Sequence, residues 1–144
     1  MNKILPCHAM LYTWGITDSN KCHYCNLYDS ITHHLYECVE TKQFWKHVMK
    51  WVGNNMDVNV PLSKIDVLFG IPIENDYFIL CLNLLIILGK WYVHTCKTNE
   101  KKLFVLDFLP TVKDCLALEE YTMSVNGKDQ EFEMKWGLLN NALA

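Results

Sequence analysis

The segment CHYCNLYDSITHHLYEC, residues 22–38, decides how this chain is read. Cys22 and Cys25 share one tight turn through a C-x2-C spacing; seven residues lead on to His33, and four more to Cys38. Two thiolates that close can bind a single tetrahedral ion at Zn–S distances of about 2.3 Å. The whole C-x2-C-x7-H-x4-C pattern supplies a closed Cys3His shell for one zinc ion (Zn2+), with no position left for substrate. Such an ion holds the chain together and does not activate water. Asn26, Asp29 and Ser30 are turn formers, which suits a loop closed around a metal. His23, between the paired cysteines, is expected to point outward. His34 would make the spacing x8 and x3, and it stands as the second choice for the histidine ligand. Ligands bind deprotonated, so metal uptake is expected to be linked to folding of residues 1–52.

Outside this segment the cysteines read differently. Cys7, Cys81, Cys96 and Cys115 show no ligand spacing, and the last three sit in apolar helical pattern as core thiols. An odd total of seven cysteines with no visible secretory signal points to a reducing compartment, hence an intracellular protein of nucleus or cytoplasm, not a secreted one. No Asp-Asp pair, P-loop, G-x-S-x-G or H-E-x-x-H motif occurs, and His94 with Cys96 has no supporting motif. No catalytic residue is expected.

Working outward along the chain, the periodicity is that of helices. Residues 1–21 form an approach segment. From Thr41, Phe44, Val48, Trp51 and Val52 repeat at helical spacing until Gly53-Asn54-Asn55 stops the run. Pro61 and Pro72 bracket a short, less decided piece that ends at Leu68-Phe69-Gly70. A long helix starts at Asn75 or Asp76, either of which could cap it, and runs to about Thr98. Its most apolar part, Tyr77 to Leu88, is about twelve residues, too short for a membrane span and better read as a buried helix. Gly89 costs that helix about 1 kcal/mol against Ala, which implies a close approach by a neighbour. Leu103–Met123 reads as another helix, with Pro110 either kinking it or occupying its first turn. After the Asn126-Gly127 turn, Phe132, Trp136 and Leu139 mark a last short helix. No segment alternates convincingly at strand period. The expected fold is mainly α: a small zinc knuckle with its following helix over residues 1–53, then a bundle of three or four helices over 54–144.

Composition limits the partners. Half of the 144 residues (51%) are apolar and 20% charged, which favours a packed core over disorder. All 13 basic residues are lysines. Arginine is the usual bidentate reader of guanine and phosphate, so its absence disfavours base-specific DNA recognition but leaves non-specific phosphate contacts open.

Leu5-Pro6, then Leu11-Tyr12-x-Trp14-Gly15-Ile16, then the Cys22, Cys25, His33, Cys38 spacing, then Phe44-Trp45 follow one another in the order of a known family. The chain resembles the zinc-binding (CCHC) segment at the C-terminal end of LINE-type, non-LTR retrotransposon reverse transcriptases. The likeness continues more loosely through Leu68-Phe69-Gly70 and residues 88–94. It implies that His33 rather than His34 is the ligand, and that the module assists binding of RNA or DNA beside a reverse transcriptase domain. The polymerase's paired aspartates and the endonuclease have no counterpart here, so no activity is implied, and the chain resembles a free-standing C-terminal remnant.

Two features fit a nucleic-acid partner, RNA or single-stranded DNA. Lys42, Lys46 and Lys50 recur every four residues and form one stripe on a helix. Tyr24, Tyr28 and Tyr36 lie in or beside the loop, where Tyr24 and Tyr36 could stack on unpaired bases. Charge opposes it. Residues 1–52 carry five Lys against four acidic residues, and three thiolates with Zn2+ bring the sum to about zero. The rival expectation is a structural docking module for protein–protein contact with a polymerase domain, in which Trp45, Trp51, Trp91 and Trp136 serve a core or an interface that has lost its neighbour. A third is an inert element remnant. No membrane partner is expected.

Overall fold

The computed structural model describes residues 6–57, 61–72 and 76–144. In chain order the helices are α1 (His8–Thr13), α2 (Val39–Met56), α3 (Lys64–Phe69), α4 (Tyr77–Thr98), α5 (Val105–Val125) and α6 (Asp129–Ala142), with a π-helical turn at His33–Glu37 before α2. The protein is mainly α, with no sheet among the described residues; only an isolated antiparallel bridge joins Lys21 to Tyr28.

Several boundaries follow from capping chemistry. Ser63 and Asp66 form a reciprocal capping box at α3, and the Asp76 carboxylate accepts the Phe78 N–H at the start of α4. Asn75, the other expected cap, lies outside the described residues, as do Leu5 and Val58. Other boundaries correct the expectation. The approach segment contains α1. Gly53-Asn54-Asn55 does not stop α2, which continues to Met56 and ends where Asp57 turns left-handed (φ 55°). Pro110 is the sixth residue of α5, beyond its first turn, so it costs that helix the bond an N–H there would make to Leu106.

α4 lies at the centre. At 22 residues it is, by length and composition alone, long and apolar enough to cross a membrane, unlike the shorter run read from the sequence. Here Cys81, Leu82, Leu85, Ile86, Gly89, Val93, Cys96 and Lys97 are buried. One core unites Phe44, Trp45, Val48 and Val52 of α2 with Leu82, Leu85 and Val93 of α4, Phe108, Val112 and Leu116 of α5, and Leu139 of α6. It therefore runs across the boundary expected at residues 53–54. Asn83, the polar residue in the apolar run, fastens the segment after α3 through paired 2.8 Å bonds to the Ile71 N–H and carbonyl.

Gly89 is where α2 presses on α4. A β-carbon there would stand 2.5 Å from Trp45 Cη2 and 2.8 Å from Cζ3, and Trp45 is fixed because its indole N–H donates to the Leu35 carbonyl at 2.9 Å. Alanine's better helix propensity, about 1 kcal/mol, acts against an overpacking cost of about 1–3 kcal/mol. Gly89→Ala is expected to lower stability despite that propensity, read as a lower denaturant midpoint with unchanged slope.

Candidate metal centre

The loop between α1 and α2 folds so that four side chains meet. Asn26 adopts a left-handed conformation (φ 61°) just after Cys25, and the Cys22 N–H donates to the Leu27 carbonyl at 2.6 Å, closing the C-x2-C turn. The π turn is closed by a bond from the Cys38 N–H to the His33 carbonyl at 3.0 Å. It sets His33 facing the turn and leaves Cys38 at the entry to α2. As a result, the ligand atoms of Cys22, Cys25, His33 and Cys38 all lie within 4.8 Å of one another, and the group could hold one metal ion. Cys22 Sγ and Cys38 Sγ are 3.8 Å apart, and Cys25 Sγ lies 3.1 Å from His33 Nε2. Cys22, His33 and Cys38 are buried and Cys25 is half-buried.

The thiols are electrostatically prepared for a cation. Cys38 is held below the usual thiol range by the proton it shares with Cys22, aided by the Lys97 ammonium and by backbone N–H groups of Thr41 and Glu40 at the start of α2. Cys22, the other partner, is pushed up by that same hydrogen bond and by burial. The pair yields one proton readily and holds the second. A cation among the four ligand atoms is what lets both ionise.

The remaining histidines are placed elsewhere. His23 points outward and pairs with Glu100 at 3.3 Å. His34 turns away from the cysteines into a buried polar network. Its Nδ1–H donates to Asp29 Oδ2 at 2.9 Å, which leaves Nε2 to accept from His94 Nδ1 at 3.1 Å. Burial pushes the His34 pKa down, in keeping with a neutral ring. Asp29 also accepts the backbone N–H of His8 at 2.8 Å and its ring N–H at 3.0 Å. Burial pushes the Asp29 carboxyl up, but the hydrogen bond from His34, the His8 N–H and the Lys97 charge outweigh it and hold it below the usual carboxylate range. By distance alone His8, Asp29 and His34 form a second set that could hold a metal. Oδ2, however, already receives three N–H donors and the Lys97 ammonium faces Oδ1, so the set is a hydrogen-bonded network.

Spacing alone did not reveal this network, because His94 and Lys97 lie some sixty residues or more from their partners. The one local sign was a second histidine, His34, beside His33, with Asp29 in the same loop.

The expected nucleic-acid residues divide. Lys42, Lys46 and Lys50 line one cleft of about 590 Å³ with Tyr36, Trp45 and Leu62. The Lys42 ammonium stands 5.9 Å from the Tyr36 ring centre. Tyr24 is not part of this cleft: its hydroxyl donates to the Lys101 carbonyl and its ring faces the Lys97 ammonium. Comparison with family models, curated proteins and solved structures gives no match.

His33→Ala is expected to abolish stoichiometric metal uptake. His34→Ala is expected to keep one ion per chain but lower stability by about 1–3 kcal/mol, since a buried carboxylate loses a donor. Metal analysis beside denaturant titration separates the two variants; loss of metal in the His34 variant alone would exchange their roles.

Proposed function

We propose that the chain is a non-catalytic zinc-binding module that binds RNA or single-stranded DNA in its lysine-lined cleft. The Cys22–Cys38 separation of 3.8 Å equals the edge of a tetrahedron built on Zn–S bonds of about 2.3 Å. The Cys25–His33 separation of 3.1 Å is shorter than such an edge, so an ion would spread that pair by a few tenths of an ångström. Four protein ligands complete the shell, and zinc bound there would supply a structural cross-link. The histidine chemistry also favours a single ion, because His8 and His34 are engaged with Asp29.

The observation that carries the nucleic-acid reading is the cleft. Three lysines and a tyrosine ring face one space, and none of the three is paired with a carboxylate among the described residues. Glu37, the acidic residue next to Tyr36, is already taken by Lys64 at 2.5 Å. A flexible strand could set phosphates on the lysines and stack a base on Tyr36, contacts that need no base-specific readout. The likeness to the C-terminal segment of LINE-type reverse transcriptases adds support for this partner class. The π turn places Tyr36 between His33 and Cys38, so the metal would order one wall of the cleft.

A second reading is docking onto a protein such as a polymerase domain. It is favoured by the exposure of Ile65 and Phe69 on α3 and of Ile87 and Trp91 on α4.

Zinc-loaded protein is expected to contain one ion per chain and to bind labelled single-stranded RNA weakly. Engaging three phosphates gives a log–log salt slope of about −2, so affinity should fall roughly 20-fold between 50 and 200 mM salt. Changing Lys42, Lys46 and Lys50 together to Glu should abolish binding. Equal binding by that variant, or none by the wild type at low salt, would sink the cleft reading and leave docking.

A further inference from the structure

Lys97, from the last turn of α4, is the only lysine among the described residues that is fully buried. A lysine in such a position ordinarily needs a charge partner. Lys97 has two. Its Nζ lies 3.7 Å from Cys22 Sγ and 3.8 Å from Asp29 Oδ1, and 5.8 Å from the centre of the Tyr24 ring. Asp29 Oδ1 has no hydrogen-bond partner and is buried, so the ammonium is the charge it faces. Lys97 thus stands between a carboxylate and a ligand of the metal centre, and it reaches both from another part of the chain.

The charges explain why it is there. Three thiolates around a divalent ion leave one net negative charge, and Asp29 adds a second close by. Two like charges in a buried environment repel strongly unless a cation separates them. We propose that Lys97 is the resident counter-ion of the zinc–thiolate centre: its ammonium donates to Cys22 Sγ, quenches that thiolate's nucleophilicity, and ties α4 to the metal loop. This rests on the zinc reading above. An N–H···S bond draws density from the sulfur lone pair that would attack an electrophile, so Cys22 is shielded chemically as well as sterically. Lys97 is a positioning residue, and it acts on the metal only through Cys22.

The test uses the full chain, with metal content measured first for each variant. Zinc-loaded protein is treated with iodoacetamide: sulfur forms a bond to carbon, iodide leaves with the electron pair of the broken C–I bond, and the resulting thioether releases the metal to a chromophoric chelator. Mass spectrometry identifies the first cysteine alkylated. Lys97→Met is expected to release zinc faster, on the order of tenfold or more, since removing a group behind a ligand weakens metal affinity on the order of ten- to hundredfold. Its first modified residue should move to Cys22 from the more exposed Cys25. Lys97→Arg keeps the charge and should stay close to wild type. A Met variant that holds one zinc and releases it at the wild-type rate, with the same cysteine modified first, would overturn the proposal.

Should the Met variant fail to fold, the wild type decides. Loaded with 113Cd and labelled with 15N-lysine, it is expected to give one slowly exchanging ammonium resonance coupled to the metal. Absence of that resonance overturns the assignment even where one metal is bound. A wild-type chain that takes up no metal overturns the zinc reading and this proposal together.

Discussion

The N-terminal half of this protein is governed by one constraint: three thiols and an imidazole must converge within 4.8 Å while most of them are shut off from water. A loop of turn formers has little apolar surface with which to hold itself, and loop closure is entropically unfavourable. A metal ion that binds four ligands can offset this, because its binding free energy becomes folding free energy. The local backbone brings the four side chains together. A left-handed Asn26 closes the first pair, and a π turn delivers the second.

That centre does not stand alone, and the neighbouring charges explain how it joins the rest of the molecule. Asp29 is held by donors from α1 and from the π turn, while Lys97 and His94 arrive from α4. Buried polar groups in such a network are costly when one partner is missing. The helices therefore dock on the loop in one register. On the other side, Trp45 packs on Gly89 and bonds Leu35, so the same turn is gripped by the apolar core. Tyr36 and the three lysines are carried between these two anchors.

Much of this was legible in the sequence, for identifiable reasons. Ligand spacing is a local property, so the four-residue cluster could be read directly from residues 22–38. Helical period was equally clear wherever an apolar face repeated, and the penalty of Gly89 correctly implied a close neighbour. Boundaries set by weaker signals were less readable. Gly53 and the two asparagines are poor helix formers, yet Val52 and Met56 are buried on both sides of them, and packing outweighed propensity. α1 escaped notice because six residues carry almost no periodicity. Tyr24 was assigned by proximity to the loop, whereas its hydroxyl is used by Lys101, a contact between residues far apart in the chain.

The adjacent histidines show why composition alone could not separate the two environments. His33 and His34 are neighbours, and on a helical turn neighbouring side chains point in different directions. One imidazole can therefore face the cysteines only if the other faces away, here toward Asp29 and His94. The ambiguity that spacing left between them is thus a structural link. A rotation that moved His33 away from the three cysteines would also pull His34 from Asp29, and with it the contact to α4. The cysteine–histidine cluster and the helix docking share one short turn, so neither can be rearranged without the other.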